Sequence, residues 1–216
     1  PKIEDLRKHL TFEICSEEEW TIEVIDSAQR MIEIGDSEFI QSKVLGIDFE
    51  ADHDRLALMT VTNYDTDRRI FILDLVSNEV RGKFPSVFGK MLENPEILKI
   101  GHSLKSLDRP KVFNELDCMI VGMFDTQILY KETIGLHKVL SKCGIPTPAN
   151  RDNNTKKAYQ LWNWCKRPID KDALSYAAMD VAHLAAIMTF QFNNYHSLMG
   201  DVLMQSNTEL STAMQS

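Results

Sequence analysis

The sequence lacks the cysteine pairs and the long apolar runs that mark several classes of protein. Its 216 residues include only Cys15, Cys118, Cys143 and Cys165, which lie far apart without the paired spacing of a zinc site or a disulfide framework. It also has no apolar run of roughly 18 residues, no signal-peptide pattern, no internal repeat and no low-complexity segment. We therefore expect a single soluble intracellular domain, in the cytoplasm or the nucleus, with reduced cysteines and no membrane association.

Positive charge is also scarce. The chain has 24 Lys and Arg against 32 Asp and Glu, for a formal net charge of −8. This balance disfavours a protein that holds nucleic acid by bulk electrostatics, although a local basic groove is compatible with it. With 44% hydrophobic and 26% charged residues, the composition is that of one globular domain with a sizeable core. The chain begins at Pro1 rather than Met, and we expect it to be a fragment of a longer protein.

The segment 44–50 alternates with the period of a β-strand. Ile47 and Phe49 lie on one face, while Asp48 and Glu50 leave the strand together on the other. Two like charges at the end of an otherwise apolar central strand raise the pKa of one carboxyl or attract a cation. A divalent metal held by carboxylate oxygens is the usual outcome. The alternative interpretation is that both carboxylates mark the solvated mouth of the strand.

The start and the end of the chain are less regular than its centre. We interpret residues 1–42 as an N-terminal strand (11–15) and a helix of the same domain. The helix opens with a capping box at Ser16 and Glu19 and ends near Gly35, with an apolar stripe at Trp20, Val24, Ala28 and Met31. Residues 43–199 are predicted to form the domain core, and residues 200–216 a polar, frayed C-terminal tail.

The order of elements in the core predicts an α/β fold. Strand patterns cover 44–50, 56–62 and 70–75 as an antiparallel meander, then 97–101 parallel to the first strand, then 119–122. A helical pattern runs from 170 to about 195. The prediction is a central mixed five-stranded sheet flanked by helices, and this order resembles the ribonuclease H-like fold.

The last long helix carries a second pair of polar side chains. Tyr176 and Asp180 are four residues apart and therefore stack on one helix face, with only small or apolar residues between them. The pair indicates a specialised face. The alternative is a buried tyrosine beside a solvated aspartate.

Five motifs occur in an order that resembles one enzyme family. They are Asp48-Phe49-Glu50, an aspartate after the fourth strand (Asp108), Phe124-Asp125-Thr126-Gln127, Trp164-Cys165-Lys166-Arg167-Pro168, and Tyr176-Ala177-Ala178-Met179-Asp180. Over roughly residues 11–195 this order resembles the DEDDy-type 3′-to-5′ exonucleases, the group that includes ribonuclease D and the Werner exonuclease domain. The resemblance implies that residues 43–199 form an exonuclease domain core that hydrolyses single-stranded nucleic acid, RNA in preference to DNA. It also implies that the longer parent protein, of which we expect this chain to be a fragment, binds protein partners.

The resemblance further implies a role for each site residue. Asp48, Glu50, Asp108 and Asp180 would hold two divalent ions, Mg²⁺ or Mn²⁺, and Tyr176 would orient the attacking water. The predicted substrate-binding residues are Phe49, His102, Lys105 and Lys157. A basic rim for a single strand is predicted at Lys99, Lys105, Arg109 and Lys111. The alternatives are a solvated surface lysine for Lys157 and an ordinary hydrogen-bonded histidine for His102 and for His183.

The second motif departs from the family pattern. Six steps separate His102 from Asp108, whereas the family usually has five, so that Leu107 occupies the expected position. Either the loop absorbs a one-residue insertion and Asp108 is the ligand, or Leu107 has replaced the ligand and Asp108 only caps a helix. In the second case the domain would be catalytically inactive and would bind RNA or a protein partner. A plain structural scaffold is the third hypothesis.

Overall fold

A six-stranded mixed sheet forms the centre of the protein. The computed structural model describes residues 19–52, 55–65, 68–131, 133–146 and 153–208, and the side chains of 153–156 are outside this description. The strands are β1 (Thr21–Ile25), β2 (Val44–Asp52), β3 (Arg55–Asn63), β4 (Arg69–Asp74), β5 (Leu98–Gly101) and β6 (Met123–Asp125). Their order across the sheet is β1-β4-β3-β2-β5-β6. The α/β class with a mixed sheet is confirmed, but the predicted number of five strands is wrong.

The pairing of the strands places β2 at the centre of the sheet. The pairs β2–β3 and β3–β4 are antiparallel, whereas β2–β5, β5–β6 and β1–β4 are parallel. The predicted meander and the parallel fourth core strand are therefore confirmed. Because side chains alternate along β2, Ile47 and Phe49 enter the core on one face of the sheet, while Val44 enters the core on the other.

Helices cover both faces of the sheet. The first face packs against α1 (Ala28–Ile34), α2 (Asn78–Lys83), α3 (Phe88–Leu92) and α4 (Arg109–Leu116). The second face packs against α7 (Lys171–Ala182), α8 (Leu184–Asn194) and α9 (Met199–Asn207), while α5 (Leu136–Lys142) packs on α8 and α6 (Asn153–Gln160) follows it. π-helical turns span Gly35–Phe39 and Leu104–Asp108, and single 3₁₀ turns span Phe84–Ser86, Ile128–Tyr130 and His196–Leu198. Asp48 and Glu50 belong to the second face, beneath α7.

The predicted N-terminal helix is wrong over residues 21–25. The segment Thr-Ile-Glu-Val-Ile is rich in β-branched residues, and it pairs in parallel with β4 as an edge strand. The helix begins after Ser27, whose hydroxyl accepts a hydrogen bond from the Arg30 backbone N–H at 3.3 Å. The chain does not leave the helix at Gly35 but continues through a π-helical turn to Phe39. The predicted strand at 11–15 lies outside the described residues.

Two predictions near the C-terminal half also need correction. The last strand spans 123–125 rather than 119–122, because Gly122 adopts a positive φ of 66° that turns the chain just before β6. Residues 200–207 are not frayed, since they belong to α9. The Asn207 side chain pairs with both backbone groups of Met123, and Ser206 is buried. Residues 209–216 lie outside the described part of the chain.

One helical stretch has the length and composition of a membrane span. Within the described residues, the most apolar 18-residue window of Lys171–Asn194 has a mean hydropathy of 1.3, and 67% of that window is buried inside the molecule. This stretch is α7 followed by α8, which cover the second face of the sheet. Its apolar character is explained by packing in the protein core.

Candidate active site

Three carboxylates converge between β2 and α7. One ligand oxygen from each of Asp48, Glu50 and Asp180 lies within 4.8 Å of the other two. Asp48 and Glu50 share a face of β2 because they are two residues apart in a strand, and α7 brings Asp180 onto that face. All three side chains are half-buried at a cavity of about 400 Å³. Three of the four carboxylates predicted as metal ligands are therefore clustered in the fold, and Asp108 is not part of this cluster.

The pairing of β2 with β3 is irregular at the site. Glu50 pairs with Leu58 and Ala51 pairs with Leu56, so that the register skips Ala57 of β3. An extra residue of this kind bends the strand that carries it and increases its local twist. The irregularity follows Glu50 directly, and pairing resumes at Ala51.

A π-helical turn sets the position of Asp108. The turn Leu104–Asp108 follows Ser103, which has a left-handed φ of 64°, and runs directly into α4. Because a π-helical turn holds more residues than an α-helical turn, it accommodates the extra residue of the second motif. Asp108 is 9% exposed and lines the cavity, whereas Leu107 is 62% exposed at its rim. This placement supports the insertion hypothesis, while metal binding by Asp108 stays a prediction.

Burial perturbs the Asp108 carboxyl. Its pKa is raised well above the usual value for aspartate, first by burial and then by the negative charge of Asp125, with a smaller contribution from Asp180. Lys111 opposes this shift by favouring the charged form. A cation in the cavity would act in the same direction as Lys111, because it would stabilise the carboxylate.

Asp125 is a site residue to which sequence reasoning assigned no role. Its buried carboxylate accepts hydrogen bonds from the backbone N–H groups of Ser103, Lys105 and Gln127 at 2.9 to 3.0 Å. It therefore fixes the start of the π-helical turn that carries Asp108. The signal was present in the Asp-Thr-Gln motif, but spacing alone does not show which backbone groups a carboxylate binds.

The aromatic and histidine residues that the sequence singled out lie partly at the cavity and partly in the protein core. Tyr176 and Phe49 line the cavity, although each is less than a tenth exposed. His102 also lines it, but its Nδ1 lies 2.9 Å from Thr126 Oγ1 and its Nε2 lies 2.7 Å from the Ile134 carbonyl. Both ring nitrogens of His102 therefore contact the protein itself, as in an ordinary structural histidine. His183 is buried at the junction of α7 and α8 and does not line the cavity.

The predicted basic rim is wrong at two of its four positions. Lys99 is fully buried, and its Nζ donates to the carbonyls of Asn94 and Ile97 at 2.6 and 2.9 Å. Arg109 is 5% exposed and donates to the carbonyl of Ser206 at 3.2 Å. Both side chains point into the protein interior, where they donate hydrogen bonds to backbone carbonyls.

The predicted substrate lysines do not line the cavity. Lys105 is half-buried and Lys157 is exposed on α6. Tyr159 and Gln160, two residues on α6 that the sequence did not single out, line the cavity instead. Substrate contact by either lysine stays a prediction.

The chain belongs to the 3′-5′ exonuclease family, which it matches over residues 26–191. Within that family it is of the DEDDy type. The segment that matches covers β2, the π-helical turn and α7, so that it contains all four predicted metal ligands and Tyr176.

Several relatives resemble the chain. Exosome complex component 10 of Homo sapiens is 28% identical over 173 residues, which are 79% of this chain and 18% of that protein. Ribonuclease D of Haemophilus influenzae is 37% identical over 101 residues, 46% of this chain and 24% of that protein. The chain thus spans less than a quarter of these relatives. The crystal structure of Trypanosoma brucei RNase D in complex with RNA U12 shares the fold, with a TM-score of 0.69, 18% identity, and coverage of 94% of this chain and 73% of that chain.

Proposed function

We propose that the domain is a metal-dependent exonuclease that removes nucleotides from the 3′ end of single-stranded RNA. The observation that carries the proposal is the convergence of Asp48, Glu50 and Asp180 within 4.8 Å, at a cavity that Asp108 and Tyr176 also line. Such a set of acidic groups at one cavity is costly without a cation. Because the chain belongs to an exonuclease family and retains this acidic set, it is best explained as an active member of that family.

The donor set fits divalent ions. Carboxylate oxygens suit Mg²⁺ and Mn²⁺, and the three clustered carboxylates are close enough to bind a common centre. We assign Asp48 to both ions, Glu50 and Asp180 to one, and Asp108 to the other. When bound, the ions would polarise the phosphodiester and lower the pKa of a bound water.

The protein groups have separate roles in the hydrolysis. The attacking water adds to phosphorus as the bond to the 3′ oxygen of the preceding nucleotide breaks. The products are a nucleoside 5′-monophosphate and a shortened strand with a 3′ hydroxyl. The Tyr176 hydroxyl orients this water by a hydrogen bond, and its position on the helix face that carries Asp180 holds it at the cavity.

The size of the cavity supports a terminal, unpaired nucleotide as the substrate group. A volume of about 400 Å³ lies within the range of sites that hold small molecules, which suits a single nucleotide. RNA is favoured because the matched relatives include ribonuclease D and the exosome component, and because the RNase D structure contains RNA. The exosome relative also supports protein partners for the parent protein.

A defined RNA assay tests the proposal. An unstructured RNA with a 5′ label should shorten stepwise with Mg²⁺ or Mn²⁺ and remain intact in chelator. A matched DNA should react more slowly, and a 3′-blocked RNA should be inert. Equal cleavage of a circular RNA would show an endonuclease. RNA binding without turnover in either metal would show the catalytically inactive alternative.

A further inference from the structure

The ring of Tyr159 covers the ring of Tyr176. The two ring centroids lie 4.4 Å apart with an interplanar angle of 28°, which is a stacked arrangement. Both tyrosines line the cavity. Of residues 157–160 at the end of α6, Tyr159 is half-buried and the other three are exposed. The contact between Tyr159 and Tyr176 therefore joins the end of α6 to the site.

Tyr159 is itself held in place by two tryptophans. Its ring centroid lies 5.4 Å from that of Trp162 and 6.1 Å from that of Trp164. Trp164 is 2% exposed, and its carbonyl accepts a hydrogen bond from Arg167 Nη1 at 2.7 Å. Arg167 forms a two-point ion pair with Asp74 at the end of β4. The position of Tyr159 is therefore tied to the central sheet.

A fixed ring beside Tyr176 limits where the Tyr176 hydroxyl can go. The Cα of Tyr176 is fixed by α7, but its ring can still rotate about two side-chain torsions. The stacked Tyr159 ring blocks one side of that rotation. It also covers one face of the Tyr176 ring, which is only 8% exposed.

We propose that Tyr159 is a positioning residue that acts through Tyr176, holding its hydroxyl where it orients the attacking water. The inference rests on the proposed function and adds to it a residue outside the five predicted catalytic positions. A displaced hydroxyl would retain its chemistry but lose its alignment. Misplacement by about 1 Å typically costs on the order of 10²-fold in rate. Because one face of the Tyr159 ring is already occupied by Tyr176, stacking of a substrate base on that face is excluded.

A double-mutant cycle with Tyr176→Phe tests the inference. Tyr159→Leu should lower kcat by about 10²-fold and change KM by less than about threefold, since ground-state binding is not affected. Tyr159→Phe retains the stacked ring and should rescue kcat to near the wild-type value. In the Tyr176→Phe background, Tyr159→Leu should have almost no further effect on kcat, because the hydroxyl that it positions is gone.

Where Tyr159→Leu does alter the kinetics, two patterns would still overturn the inference. One is a decrease in kcat from Tyr159→Leu that is equally large with and without the Tyr176 hydroxyl. The other is an increase in KM with kcat unchanged, which would indicate that Tyr159 contacts the substrate. Tyr195→Leu, at a tyrosine that is 40% exposed and outside the cavity lining, is the matched control and should leave kcat unchanged. Melting curves verify that each variant is folded.

The assay also separates this inference from the function on which it rests. No turnover by the wild type would overturn the proposed function, and this inference with it. Wild-type turnover that Tyr159→Leu leaves intact would overturn the inference alone.

Discussion

At the scale of single residues, Asp108 and Leu107 decide whether the site has four carboxylates or three. They are adjacent in sequence, yet one is 9% exposed and the other 62% exposed, because the π-helical turn brings Asp108 inward. The Asp108 side chain makes no capping hydrogen bond to α4. The helix-cap interpretation therefore lacks the contact that would define it, and the role as a metal ligand is the better prediction.

Replacement of Asp108 by Asn tests this role. Asn has nearly the same shape, so Asp108→Asn should leave the free energy of unfolding unchanged or slightly raised, because it removes a carboxyl whose charged form is disfavoured by burial and by Asp125. RNA hydrolysis should fall by about 10²-fold or more, because even an outer partner of a metal ligand typically contributes about 10- to 100-fold. Urea unfolding and initial rates measure the two effects.

Two variants complete the test of the second motif. Asp117→Asn changes the same residue type at the exposed, left-handed C-terminal end of α4, where Asn fits well, and it should be silent in both assays. Leu107→Asp should not increase activity. Full activity in Asp108→Asn together with a gain in Leu107→Asp would show that the ligand has been lost from this chain.

Lys99 provides a second prediction at this scale, concerning pH. Burial lowers the pKa of its ammonium group to about 7. In the unfolded chain the pKa is near its ordinary value of about 10.4, so between these values the unfolded state binds more protons than the folded state. Folding is therefore favoured as pH rises. The contribution of Lys99 to the free energy of unfolding should grow by up to about 1.4 kcal/mol per pH unit between pH 7 and pH 10.

Urea unfolding of Lys99→Met from pH 6 to pH 10 measures this contribution. Met retains the straight apolar chain and removes the titratable group, so the slope across pH 7 to 10 should become flatter than in the wild type. Lys90→Met, at an exposed lysine on α3, should leave the slope unchanged. Equal slopes in wild type and Lys99→Met would show that Lys99 is not the source.

At the scale of secondary-structure elements, local sequence patterns predicted which side chains share a face of a strand or a helix. The alternation in β2 predicted its two faces and the pair Asp48 and Glu50, and the i, i+4 spacing on α7 predicted that Tyr176 and Asp180 share a face. Pairing partners were not predictable in this way. Trp20 and Val24 match a helical stripe by spacing, yet Trp20 lies just before β1, and Val24 within β1 pairs with Ile72 of β4.

The contacts of the C-terminal helix α9 were likewise not predictable from local sequence patterns. Its polar residues indicate a solvated tail when only composition is considered. In the fold, Ser206 Oγ accepts a hydrogen bond from the Asp125 backbone N–H at 3.0 Å and donates to the Val202 carbonyl at 2.8 Å. Helix α9 thereby protects the edge strand β6 and supports the residue that fixes the second motif.

Removal of the Ser206 hydroxyl should therefore destabilise the domain. Ser206→Ala leaves the buried N–H of Asp125 without this acceptor, at a cost of about 1–3 kcal/mol in the free energy of unfolding. Ser37→Ala is the matched control, because Ser37 is an exposed serine that makes a similar hydrogen bond to the Glu33 carbonyl at 2.8 Å. Chemical denaturation compares them, and equal small effects would argue against α9 as a structural part of the domain.

At the scale of the whole molecule, the sheet has two faces with different tasks. The first face is sealed by α1 to α4 around an apolar core. The second packs on α7 to α9 and, at one end, opens into the cavity with its carboxylates. The packed helices hold Asp48, Glu50 and Asp180 within 4.8 Å of one another. Since like charges repel, we infer that this arrangement stores an electrostatic cost at the site and that a bound cation would offset it.

This stored cost predicts opposite effects of one substitution with and without metal. Asp48→Asn removes one of three carboxyl groups within 4.8 Å while keeping the size of the side chain, so we expect the metal-free protein to melt at a higher temperature than the wild type. Addition of Mn²⁺ should raise the melting temperature of the wild type. At 100 times the dissociation constant the gain is about 2.7 kcal/mol, which corresponds to roughly 5–10 °C for a domain of this size. The variant should show little of this shift, because Asp48 is the proposed shared ligand.

Thermal melts with chelator and with a titration of Mn²⁺ or Mg²⁺ measure both effects. Asp36→Asn provides the same change in net charge at an exposed position in the π-helical turn after α1, and it should respond to metal as the wild type does. If Asp48→Asn lost stability in chelator, repulsion would not dominate at the cluster. If it kept the full metal-induced shift, the carboxylates would bind ions without Asp48, and its assignment as the shared ligand would be wrong.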